Sequence, residues 1–225
     1  METYDTEEYK NCKIKIFNNE DTENPREWDT LGIMVCSHRN YNLGDVQISG
    51  GIDYFHEYLN EKYAISDNYN DYDYFEDNQN EIIEKWIDKN LIILPLYLYD
   101  HSGITMNTAG FSCGWDSGQV GWIYINRAAA RKKFGVKRIS KKLEKRVMNY
   151  LVGEVEIYDK YLRGDVYGYQ SEDKDGKDMG SCWGFYDMEQ LLSEAKSEID
   201  YNIIELQKAT KAKIYQMSAA VGFCH

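Results

Sequence analysis

Residues 91–99 read LIILPLYLY, apolar almost without interruption, which makes them the strongest strand signal in the chain. Pro95 has no amide proton to give to a ladder, so the strand must place it at a bulge or on an edge side. A second apolar strand, VGWIYIN, follows at 120–126. The run between them, DHSGITMNTAGFSCGWDSGQ (100–119), is crowded with glycine and polar side chains. A sheet built around these two strands would display that run as a functional loop on a rigid support.

The other segments fill in around this pair. KIKIF (13–17) alternates lysine with apolar residues, the period of a half-buried or edge strand, and LGIMVC (31–36) reads as an interior strand. HRNYNLGD (38–45) is a loop, since Asn and Gly tolerate the left-handed backbone of tight turns. Ile52, Phe55, Tyr58, Leu59 and Tyr63 keep helical spacing, as do Ile82, Ile83, Trp86 and Ile87 in 80–89, with an acidic loop between the two helices. RAAARKKF is a short helix stopped by Gly135, and Ser140 caps a long helix carrying Leu143, Val147, Tyr150, Leu151, Tyr158 and Leu162 along one side. Residues 165–187 form a hairpin turning at Asp175-Gly176, and a last helix runs from Met188. These elements predict one α+β domain over residues 1–225, with a central mixed or antiparallel sheet, packed helices and a flexible lead at 1–10.

A chain of 225 residues is long enough to bury roughly 70% of the surface its unfolded form exposes. No stretch approaches the ~20 apolar residues of a membrane span, and METYDTEEYK lacks the basic and then apolar pattern of a secretory signal. Cys12, Cys36, Cys113, Cys182 and Cys224 are odd in number and not closely paired, which suits free thiols in a reducing compartment. The expectation is a protein of the cytoplasm, with no membrane association.

Net charge is −12, unevenly spread. Between Lys62 and Lys85 there are seven acids and no Lys or Arg, whereas Arg127 to Arg146 holds ten basic residues and one acid, Glu144. The acidic segment, ISDNYNDYDYFEDNQNE (65–81), interleaves carboxylates with aromatic rings. Asp67, Tyr69, Asp71, Tyr72, Asp73, Tyr74, Phe75, Glu76 and Asp77 are its candidate partner-binding residues. Tyrosines offer contact area at low entropic cost, and carboxylates steer and select basic partners. A solvated acidic loop with no partner is the competing reading. The basic segment offers Arg131, Lys132 and Lys141 for phosphate backbones, although the overall charge opposes nucleic acid at long range and a solvated helix face is the plainer account.

Within 100–119, Gly110-Phe-Ser112-Cys-Gly114 matches a nucleophile-elbow spacing, but the following WDSGQVGW is too rich in glycine to open the helix that motif requires. Cys113 lies near His101 and Asp116 in sequence, the residue types of an activated thiol, so these three are the candidate catalytic set. A small buried thiol is the alternative. His38, His56 and His101 lack the close ligand pairs of a zinc site, and DKDGKD lacks a calcium loop's closing Glu, position 184 being Gly. No metal and no cofactor are expected.

The strings NPREWD (24–29), NYNLGD (40–45), DHSGITM (100–106), CGWDSGQVGWIY (113–124), GEVEIYDKYLRGDVYGY (153–169) and SCWGFY (181–186) resemble an uncharacterised family of proteins carried by bacteriophages and other mobile elements. The resemblance brings no catalytic residue. It implies a host-cell setting in which accessory proteins inhibit CRISPR effectors or restriction enzymes, often by blocking the surface that holds nucleic acid. The leading expectation is thus a counter-defence inhibitor binding a basic groove of a host defence protein through its acidic, tyrosine-rich segment. The alternative is an enzyme, a hydrolase or nucleotide-processing protein, with its pocket on the 100–119 loop, and direct nucleic-acid binding stands behind both.

Overall fold

The computed structural model describes residues 2–221. In chain order the elements are β1 (Thr3–Tyr9), β2 (Cys12–Asn18), β3 (Ile33–Cys36), β4 (Val46–Gln47), α1 (Phe55–Tyr63), α2 (Tyr72–Asn90), β5 (Leu91–Asp100), β6 (Ile104–Asn107), β7 (Ser117–Asn126), α3 (Arg127–Phe134), α4 (Lys141–Arg163), β8 (Tyr167–Asp173), β9 (Asp178–Phe185) and α5 (Met188–Val221). The fold is α+β, as the patterning predicts. Its strands divide between two sheets, and the chain separates into two compact units, one of residues 1–22 with 164–225 and one of residues 23–163.

The first unit holds a four-stranded antiparallel sheet in the order β1-β2-β8-β9, with α5 packed on it. Residues 1–10, expected as a flexible lead, contain β1, whose Thr3–Tyr9 pair along β2. The lysine alternation of β2 puts Ile14 and Ile16 into a core with Tyr169, Met179, Leu191, Ala195 and Ile199. The β8–β9 hairpin turns where expected: Gly176 adopts φ 79°, a left-handed conformation glycine takes without steric cost, and its amide reaches Asp173 O at 3.0 Å.

The second unit holds a five-stranded mixed sheet in the order β4-β3-β7-β5-β6. Alternation along its strands gives each face a core. Met34, Ile92, Leu96, Ile123 and Ile125 pack with Val147, Leu151 and Val155 of α4, whereas Val35, Leu91 and Tyr124 pack with Phe55 and Leu59 of α1 and Ile83 of α2. The sheet is therefore a middle layer between α1–α2 and α4. Pro95 pairs with Trp122, the register shifts just after it between Leu96 and Tyr97, and β6 joins β5 only from Tyr97 onward. The missing amide proton thus falls beside a bulge, on an edge side.

Besides residues 1–10, two segments differ from the sequence reading. The acidic stretch is not a loop throughout: α2 starts at Tyr72 because Asp71 caps it, its Oδ1 accepting from Tyr74 N at 3.0 Å. The 100–119 run contains β6, and β7 begins at Ser117, so much of the expected loop belongs to the sheet.

Candidate functional site

The candidate site grows out of one end of the second sheet. The β5 strand delivers Asp100 there and β7 starts there at Ser117; the two are tied by Asp100 N donating to Asp116 O at 2.8 Å. A turn with Ser102 at φ 58° and Gly103 at φ 149° leads into β6. The return is pinned by Asn107, whose Oδ1 accepts from Ala109 N at 3.0 Å and Gly110 N at 2.7 Å, and by a hydrogen bond from Ser117 Oγ to Cys113 O. Thr105, on the edge strand β6, donates to Asp159 Oδ1 of α4 at 2.6 Å.

This folding gathers His101, Cys113 and Asp116 around a single atom. Asp116 Oδ2 lies 3.4 Å from His101 Nδ1, and Cys113 Sγ donates to the same oxygen at 3.9 Å. The order is carboxylate in the middle. An activated cysteine needs the imidazole against the sulfur, with the carboxylate behind the imidazole; here the sulfur's partner is the carboxylate. The trio is also open to water, the His101 side chain being 64% exposed.

Beside it lies an open cleft of about 800 Å³, reached from the ends of β3, β4, β5 and β7. Asp100, Asp116, Gln47, Gln119, His38 and Trp115 are among its walls; His101 and Cys113 are not. Trp115 is 97% exposed, an unusual position for the largest apolar ring. Asp100 accepts from Tyr41 Oη at 3.2 Å, and that hydrogen bond, with partial burial and the negative charge, raises the Tyr41 pKa. His38 Nδ1 accepts from Asn40 N and Tyr41 N at 3.2 and 3.3 Å, which puts the ring proton of the neutral imidazole on Nε2.

The acidic candidates lie around the start of α2. Asp67, Tyr69, Asp71, Tyr72, Asp73, Tyr74, Glu76 and Asp77 are exposed, with Tyr72 at 67%. Phe75 is not part of that surface: it is buried in the core with Ile82 and Ile83, and Tyr69 leans on its ring at 5.6 Å between centroids. Among the described residues, Asp67, Asp71, Asp73, Glu76 and Asp77 enter none of the ion pairs with lysine or arginine. Glu76 instead receives a hydrogen bond from Tyr72, whose pKa it raises. Of the basic candidates, Arg131, Lys132 and Lys141 are exposed; Arg131 and Lys132 sit in the last turn of α3, where cations complement the helix dipole.

Sequence reasoning missed a buried ionic hub. The Arg26 guanidinium, its side chain 3% exposed, donates to Asp45 through Nε at 2.9 Å and Nη2 at 2.6 Å, to Glu154 Oε2 through Nη1 at 3.1 Å, and to Gly32 O at 2.8 Å. Burial works against its charge, and the two carboxylates outweigh that, so its pKa is raised. Asp45 also accepts from Met34 N, and Glu154 from Leu31 N and Gly32 N. Three of the polar strings, NPREWD, NYNLGD and GEVEIYDKYLRGDVYGY, thus meet in one structural knot. Among the described residues, no group of three or more His, Cys, Asp or Glu is placed to hold a metal ion, and no helix is long and apolar enough to cross a membrane. No family model, curated protein or solved structure matches the chain.

Proposed function

We propose that the protein is a phage-type accessory protein, a counter-defence inhibitor of the anti-CRISPR or anti-restriction kind, that docks on a basic nucleic-acid-handling host protein through the acidic, tyrosine-rich start of α2. One observation carries this reading: a lysine-free group of exposed carboxylates, unneutralised by ion pairs among the described residues, stands among exposed Tyr69, Tyr72 and Tyr74. Unpaired carboxylates supply long-range attraction and penalise acidic competitors, and phenolic rings supply contact area. The basic partner and the host setting come from the chemistry of that surface and from the resemblance to mobile-element proteins.

Titrating a purified CRISPR effector or restriction enzyme with the protein tests it. Inhibition should be complete near a 1:1 ratio, weaken with salt, and be lost when Asp73 and Asp77 are changed to lysine. Inhibition that persists in that double variant, or that needs turnover, sinks the reading. A second reading, an enzyme built on the 100–119 segment, draws on Asp116 standing between His101 and Cys113 beside a cleft. It requires multiple turnover that falls with His101→Ala while binding is kept.

A further inference from the structure

The cleft at the end of the second sheet is rich in acceptors, for a reason that lies in its hydrogen bonds. Gln47 Nε2 donates to Leu43 O and Gln119 Nε2 donates to Gly121 O, at 3.2 Å for the latter, which fixes how each amide is turned and leaves its carbonyl oxygen as an acceptor beside one remaining N–H. Asp100 and Asp116 add two carboxylates on neighbouring strand ends. Trp115, 97% exposed, supplies a flat π face at the rim. Arg39, exposed on the same rim, is the one cation among the lining residues. Carboxylates and amide carbonyls in one cleft with an exposed aromatic ring make a receptor for a planar cation, because a guanidinium gives N–H groups in its plane to acceptors while its face stacks on a ring.

We propose that this cleft is a guanidinium pocket that takes an arginine side chain of the basic partner, with Asp100 and Asp116 accepting its N–H groups and Trp115 stacking on its plane. The identity of the arginine's owner rests on the docking function above; the guanidinium chemistry rests on the cleft alone. An ammonium has no plane to stack and no fork to match paired acceptors, so the pocket discriminates against lysine.

Tryptophan fluorescence of the full chain, titrated with N-acetyl-arginine-methylamide, reads the site, with Trp115→Phe as the blank. Saturable quenching is expected, about tenfold weaker for the lysine analogue and absent for the neutral citrulline analogue. Asp100→Asn with Asp116→Asn should abolish it. No saturable response, an equal response to the citrulline analogue, or a response unchanged in that double variant overturns the proposal. Free L-arginine binding more tightly than the blocked residue or an arginine-containing peptide overturns the protein side chain as its source, in favour of a small guanidine. The Asp73→Lys, Asp77→Lys variant separates the two ideas: it should keep the arginine response while losing inhibition, whereas a lost response with inhibition kept rejects the pocket and leaves the docking surface standing.

Discussion

Arg26 and Asp45 form a two-point contact, Nε to Oδ1 at 2.9 Å and Nη2 to Oδ2 at 2.6 Å, that locks two loops of the second unit together, and Glu154 brings in α4 at 3.1 Å. Removing one member of a buried charge group leaves the rest uncompensated, which typically costs about 3–5 kcal/mol. Arg26→Met should therefore lower stability by that amount. Urea unfolding followed by tryptophan fluorescence checks it well, because Trp28, Trp86, Trp115 and Trp122 lie in the second unit and Trp183 alone in the first. A loss below about 1 kcal/mol would mean the hub is no tie.

Cys36 gives a pH signature. Burial, followed by the nearby Asp45 carboxylate, pushes its thiol up to about 12 from an ordinary 9.0. The folded form then holds its proton where the unfolded form releases it. Below pH 9 both are protonated and nothing is lost, and as pH rises from 9 towards 12 ionisation favours the unfolded chain. The cost across that window is about 4 kcal/mol, three units at 1.36 kcal/mol each. Stability of the native chain relative to Cys36→Ala should decline over pH 9–12 and stay level below it. In the folded protein at pH 8, iodoacetamide should modify exposed Cys182 and half-buried Cys113 and spare Cys12 and Cys36, as peptide mass mapping will show.

The acidic surface needs variants that separate folding from binding. Asp71 caps α2, so Asp71→Ala should cost about 1 kcal/mol whatever the partner. Asp77 is exposed and beyond the first turn, so Asp77→Lys should leave stability within about 0.5 kcal/mol while weakening association with the basic partner. Thermal unfolding and affinity measured side by side distinguish the cap from the contact.

Features whose signal is local could be read from the chain. The β5 and β7 strands announce themselves by apolar runs, Gly135 closes α3 at φ 63° with its amide on Arg131 O and Lys132 O, and Ser140 Oγ accepts from Leu143 N at 3.2 Å to start α4. The start of α2 was misread because a capping aspartate looks like any other in an acidic run, although Phe75, Ile82 and Ile83 already keep the helical spacing that buries Phe75. The hub was illegible for a different reason: Arg26 finds its partners 19 and 128 residues away, and no period or motif encodes a pairing at that range. The candidate trio falls between these cases. Proximity in sequence did bring His101 and Cys113 to Asp116, but the order of contacts, which decides the chemistry, depends on how the turn and β6 aim each side chain.

The last helix offers a contrast within one element. Along α5, Leu191, Ala195 and Ile199 are buried on the first unit's sheet, whereas the side chains of residues 204–217 are exposed, Ile214 at 62%. Deleting buried methyl groups costs both their transfer energy and the cavity left behind, so Leu191→Ala should cost about 2–5 kcal/mol. Ile214→Ala removes atoms already largely in water and replaces a β-branched residue by the best helix former, so it should change stability by no more than about 0.5 kcal/mol. Far-ultraviolet circular dichroism during urea unfolding measures both. A cost at Ile214 comparable to that at Leu191 would show that the exposed stretch of α5 is covered in solution, and concentration dependence of the midpoint would then identify a second copy as the cover.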